Sequence, residues 1–117
     1  GASVTDVSVT VTDFNSDAST RTVTDAAQSD LQTLANGDIV LVVTLGDLTL
    51  QDGIDVDGHS IDAHGIGNIL VDALAGSITA NSDILSDTGH ITLKGQLNVD
   101  LTASVDVVTA AAGTIRT

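Results

Sequence analysis

The stretch Gln51-Asp52-Gly53-Ile54-Asp55-Val56-Asp57-Gly58-His59 concentrates chemistry-bearing residues as no other part of this chain does. Asp52, Asp55 and Asp57 fall within six residues, and Gly53 and Gly58 let the backbone bend around a point. Hard oxygen ligands on a short loop suit a hard cation such as Ca²⁺. The EF-hand order is not met, because no Glu closes the loop and Ile54 and Val56 alternate as in a strand. The glycine-rich calcium nonapeptide of β-helical proteins is absent too. Two readings stand side by side: a calcium site on Asp52, Asp55 and Asp57, and a solvated acidic loop.

The histidines are His59, His64 and His90. His59 and His64 lie five apart with Asp57 and Asp62 nearby, but a transition-metal site needs at least three converging ligands and a second shell. Asp55 with Asp57, or Asp100 on a strand, has the residue types for acid–base work on a sugar. Polysaccharide-cleaving grooves use aromatic and basic residues, however. This chain has no Tyr or Trp and only Arg21, Lys94 and Arg116 as bases. No Gly-x-Ser-x-Gly is present, and with no Cys there is no thiolate chemistry and no disulfide. The expectation is therefore a protein without enzymatic activity and without a cofactor other than calcium.

These residues must be positioned by a framework, and the framework is a repeat. Gly37-Asp38-Ile39-Val40-Leu41, Gly67-Asn68-Ile69-Leu70-Val71 and Gly89-His90-Ile91-Thr92-Leu93 share one pattern, which begins again at Gly113-Thr114-Ile115. Gly67 follows Gly37 by 30 residues, Gly89 follows Gly67 by 22, and Gly113 follows Gly89 by 24. A glycine turn opening a short alternating strand at such intervals is the signature of a β-solenoid. Each repeat divides into three strands. The first are 38–44, 68–73 and 90–94, the second 47–50, 77–80 and 97–101, and the third 60–63, 83–85 and 106–108. Insertions fall mainly between second and third strands, with 51–59 the longest loop.

Superposing the glycines predicts inward ladders: Ile39, Ile69, Ile91 and Ile115; Leu41, Val71 and Leu93; Leu48, Ile78 and Val99. The same register places Val42, Asp72 and Lys94 in one outward column, so Lys94 should meet Asp72. Val40 and Leu70 also face outwards, a small apolar patch for the N-terminal segment to cover. A flat threonine face of the ice-binding kind is excluded, because the column holds Val40, Leu70, Thr92 and Arg116.

Residues 1–36 read as an N-terminal strand and cap segment. Residues 4–12 alternate as a strand, 13–20 form a polar turn, and 21–24 make another short strand. Over 25–35, Ala27, Leu31 and Leu34 fall at helical spacing, and Asn36-Gly37 supplies a stop, which predicts a short helix. The alternative is an irregular first coil. The coils are then 37–66, 67–88, 89–112 and an incomplete 113–117, a single domain and a section of a longer protein.

Composition agrees with a narrow stack of strands. The single aromatic is Phe14, so Ile, Leu, Val and Ala must fill the core. All sixteen acids are Asp, a turn former and poor helix former, against three bases, for a net charge of −13. That charge argues against nucleic acid or an anionic membrane as partner. No apolar run approaches the roughly 20 residues of a membrane helix.

The repeats, followed by Leu45-Gly46-Asp47-Leu48-Thr49-Leu50, Ala75-Gly76-Ser77-Ile78-Thr79-Ala80 and Gly95-Gln96-Leu97-Asn98-Val99-Asp100-Leu101, resemble those of giant bacterial surface proteins, the filamentous-haemagglutinin-like adhesins. Ser86-Asp87-Thr88-Gly89-His90-Ile91-Thr92-Leu93 is especially similar to their coils. The resemblance covers about residues 31–117. It implies a right-handed parallel β-helix, secretion to the bacterial cell surface, and a rod-like stalk or spacer role in adhesion. Host or matrix glycans would be reached through the parent protein. A glycan- or calcium-binding module acting through loop 51–59 is the alternative function. The unpaired strand edges of the last complete coil lead to an expectation of end-to-end self-association.

Overall fold

The computed structural model describes residues 30–53, 56–110 and 112–117 in full, and the backbone of 2–4, 8–12 and 18–22. The described chain is all-β, built on three four-stranded sheets. Its strands are β1 (Ala2–Val4), β2 (Ser8–Thr12), β3 (Ala18–Thr22), β4 (Leu31–Thr33), β5 (Ile39–Val43), β6 (Leu48–Leu50), β7 (His59–Ala63), β8 (Ile69–Ala73), β9 (Ile78–Ala80), β10 (Asp83–Ser86), β11 (Ile91–Gly95), β12 (Val99–Leu101), β13 (Val107–Thr109) and β14 (Ile115–Arg116).

From β4 onwards every pairing is parallel and joins a strand to its counterpart one coil away. The orders are β5-β8-β11-β14, β6-β9-β12 and β4-β7-β10-β13. This is a parallel β-solenoid with three short strands per coil. Strands of two to five residues are too short to stand alone, so each is held by its neighbours along the stack. The fourth member of the second sheet is β1, which runs antiparallel along β6, pairing Ala2 with Leu50 and Val4 with Leu48. The strands β2 and β3 form a separate antiparallel pair, Ser8 opposite Thr22 and Thr12 opposite Ala18.

The register is the one that the glycines dictate. Ile39, Ile69, Ile91 and Ile115 stack in one column, Leu41, Val71 and Leu93 in a second, and Leu48, Ile78 and Val99 in a third. A further column is Leu31, Ile61, Ile84 and Val107. Inward residues alternate with outward ones, and among the described residues the buried hydrophobic side chains are all Ile, Val, Leu or Ala. Burying each of its larger side chains stabilises by roughly 1.5–3 kcal/mol. The outward column Val42, Asp72, Lys94 also forms, and the Lys94 ammonium meets the Asp72 carboxylate at 2.5 Å.

Three expectations need correction. The helix over 25–35 does not form where the chain is described, since Leu31–Thr33 is strand β4 (25–29 lie outside the described residues). Pairing with β7 sets Leu31 against the core beside Ile61, whereas Leu34 is left exposed. Three apolar residues at helical spacing cannot outweigh a strand ladder that satisfies the backbone and buries Leu31. The turn drawn over 13–20 is too long, because 18–20 belong to β3; of the strand expected at 4–12, residue 4 lies in β1 and 8–12 in β2, and 5–7 lie outside the described residues. The patch at Val40 is not covered: Val40 is 64% exposed, and β1 lies along β6 instead.

Candidate functional site

Loop 51–58 leaves the end of β6 and returns to β7, and its extra length brings acids together. Asp30, just before β4, accepts a hydrogen bond from the Gly53 N–H at 3.1 Å. Asp52 accepts from the Gly58 N–H at 3.1 Å, closing the loop on itself. Asp57 accepts from the His59 N–H at 2.9 Å, an Asx turn that starts β7. Asp30, Asp52 and Asp57 each offer a carboxylate oxygen within 4.8 Å of the other two. The Oδ1 of Asp52 is buried and meets no hydrogen-bond donor.

Two of the three acids expected to bind calcium thus converge, Asp52 and Asp57, while Asp55 lies outside the described residues. The third member is Asp30, which sequence reasoning missed. Its signal was there: a strand at 31–33 paired with 61–63 puts the residue before it at the corner where loop 51–58 folds back. Three carboxylates suit a hard cation, which takes 6–8 oxygens, the remainder coming from backbone carbonyls or water.

The histidines are dispersed. His59 Nδ1 lies 3.6 Å from Asp57, and His64 sits between Asp62 at 3.3 Å and Asp87 at 3.6 Å. Among the described residues, Asp30, Asp52 and Asp57 are the one group of three metal-capable side chains close enough to share an ion. The hydroxyls of Ser60 and Ser86 donate to the backbone carbonyls of Asp83 and Gly67, not to a histidine.

The second chemical feature is a column of turns. The residue after each repeat glycine is Asp38, Asn68, His90 or Thr114. Asp38 Oδ1 accepts from the Asn68 N–H at 2.8 Å, Asn68 Oδ1 from the His90 N–H at 2.9 Å, and His90 Nδ1 from the Thr114 N–H at 3.1 Å. In return, the carbonyls of Asn68, His90 and Thr114 accept from Ile39, Ile69 and Ile91, each at 2.8 Å. Other corners do the same: Asp47 holds the Ser77 N–H and Asp83 the Asp106 N–H, both at 2.8 Å. The residue types differ, but Asp, Asn and His each place an acceptor at the δ position here. That is the property the column selects, and it accounts for Asp, not Glu, at these corners. A coil rises about 4.8 Å, a span an acceptor two bonds beyond Cβ reaches.

The glycines are required by the same stacking. A Cβ on Gly67 would stand 2.3 Å from the Gly37 carbonyl oxygen, and one on Gly89 would stand 1.9 Å from that of Gly67. At these corners the backbones approach too closely for any side chain. No family model, no curated protein and no solved structure matches the chain.

Proposed function

We propose that this chain is a structural spacer, a stalk segment of a large secreted bacterial surface protein of the adhesin kind, supporting attachment without catalysing a reaction. The observation that carries this reading is the common register of three parallel ladders over successive coils. Such a stack gains length by repetition, about 4.8 Å per coil, and its polar corner groups are spent on one another. Outward Asp residues keep a rod soluble and self-repelling. The adhesin assignment rests on the likeness of the repeats, and host or matrix glycans would be contacted elsewhere in the parent protein.

Deleting one whole coil, residues 67–88, tests the spacer reading. The columns then close with Ile91 on Ile39 and Leu93 on Leu41. The expected product keeps its β circular dichroism and a cooperative, lowered melt. Loss of the fold, or micromolar binding of the intact chain to an immobilised glycan, would contradict it.

A second reading, a calcium-binding coil, is favoured by one observation: Asp30, Asp52 and Asp57 bring carboxylate oxygens together, and the Oδ1 of Asp52 is buried without a donor. An ion there would tie β4 to the longest loop. Calcium titration should then raise the melting temperature by several degrees, and Asp52→Asn with Asp57→Asn should abolish the rise. An unchanged melt on titration rejects this reading.

A further inference from the structure

Three dipeptides among the described residues place a glycine after an acid or amide side chain: Asn36-Gly37, Asp52-Gly53 and Asp57-Gly58. With no side chain to crowd it, such a glycine nitrogen can close on the preceding side-chain carbonyl carbon. The fold treats the three differently. The Gly53 N–H donates to Asp30 and the Gly58 N–H to Asp52, both at 3.1 Å, so these two nitrogens are engaged. Both also follow carboxylates, which are poor electrophiles. Asn36 offers a better one, a neutral amide. It is exposed at the corner between β4 and β5, at a φ of +54°, a left-handed backbone that Asn tolerates.

The next coil holds this amide in place. Asn36 Oδ1 accepts the Ile66 N–H at 3.2 Å, while the Asn36 N–H donates to the His64 carbonyl at 3.0 Å. Gly65 leaves room for the contact, since a Cβ on it would stand 2.2 Å from Asn36 Oδ1. The Ile66 N–H polarises the side-chain carbonyl and stands where negative charge develops if Cγ is attacked. The other described asparagines lack this combination of a polarised amide and an unhindered nitrogen. Asn68 precedes Ile69, a β-branched strand residue whose N–H donates to the His90 carbonyl at 2.8 Å. Asn98 precedes Val99, the first residue of β12, and Asn81 precedes Ser82, which is buried.

We propose that Asn36-Gly37 is a self-modification site, where the chain converts Asn36 to a mixture of aspartate and isoaspartate in water without an enzyme. Solvent base takes the Gly37 amide proton, and the nitrogen attacks Asn36 Cγ. The Cγ–Nδ2 bond breaks, ammonia leaves, and a cyclic succinimide remains. Water then opens the ring: attack at the side-chain carbonyl gives aspartate, and attack at the main-chain carbonyl gives isoaspartate. Aspartate keeps an oxygen for the Ile66 N–H. Isoaspartate carries the main chain through Cβ and Cγ, lengthens the corner and loosens the first coil on the second. Either product adds a negative charge to a chain already at −13.

Incubation of the intact native chain in mildly alkaline buffer, with digestion and mass spectrometry at intervals, tests the proposal. The expected result is the mass gain of amide-to-acid conversion at Asn36, as two separable isomers, several-fold faster than at Asn68, Asn81 or Asn98. Gly37→Ala should slow the conversion several-fold. A Cβ there stands 3.3 Å from the Thr33 methyl, and circular dichroism checks that the fold persists. The chain unfolded in guanidinium separates the contribution of the fold from that of the dipeptide: Asn36 should convert at least as fast in the native chain. An intact Asn36, conversion spread evenly over the asparagines, no effect of Gly37→Ala, or a slower reaction in the native than in the unfolded chain would overturn the proposal.

Discussion

The middle coil, residues 67–88, and the last, residues 89–112, contain the same kinds of residue in the same register, yet they are not equally folded into the molecule. In the middle coil, Ile69, Val71, Ile78, Ala80 and Ile84 are buried. In the last coil, Ile91 and Leu93 are buried, but Val99, Val107 and Leu101 progressively face solvent. The difference is not in the sequence of either coil. It is in the number of neighbours: the middle coil has one on each side in all three sheets, whereas β12 and β13 have one on one side only. Burial here is a property of position in the stack, as expected for a nearly one-dimensional fold.

That contrast is broken most sharply by truncating one column at two heights. Ile91→Ala should destabilise by about 2–5 kcal/mol, since Ile91 is fully buried between Ile69 and Ile115. Ile115→Ala, in the same column, should cost under about 1 kcal/mol because much of its surface is already wet. Equal losses in urea denaturation would show that height in the stack does not govern burial.

A smaller effect is expected at the corner between the two coils. Gly89→Ala must push a methyl against the Gly67 carbonyl and the Ser86 hydroxyl. About 1–3 kcal/mol of destabilisation follows from such overpacking. Gly46→Ala makes a useful control: a Cβ there has open space, so any cost comes only from its φ of +88°. A Gly89→Ala protein as stable as the wild type would refute the close-stacking account of the glycine column.

The smallest effect separates the turn ladder from mere turn propensity. His90→Asn keeps an acceptor at the δ position and should change the melting temperature little. His90→Val removes it and leaves the Thr114 N–H without that partner, at about 1 kcal/mol. If the two variants behave alike, the δ acceptor is not what the column requires.

Much of this architecture was legible in the chain. Aligning four glycines sufficed to give the ladders of Ile39, Leu41 and Leu48 and the Lys94–Asp72 pair, because stacked coils of a solenoid share one register. The strand β4 was not legible, since Leu31 and Leu34 fit a helical period as well as a strand, and only pairing with Ile61 decides between them. Asp30 was missed for the same reason, being placed by a strand that was read as helix. In the sequence the turn position (Asp38, Asn68, His90, Thr114) looks variable because its side chains differ in type. Its constancy lies in acceptor geometry, which becomes visible only when the next coil's N–H is set beside it. The convergence of Asp52 with Asp57 was legible from spacing alone.

The central claim is that stability resides in contact between coils, not within them. Residue-resolved amide hydrogen exchange, at a protein concentration low enough to keep the chain monomeric, tests it most directly. Amides of β8, β9 and β10 should exchange only through global unfolding, and those of β12, β13 and β14 through local opening at lower free energy. Uniform protection of all these strands, or rapid exchange in the middle coil, would contradict the account.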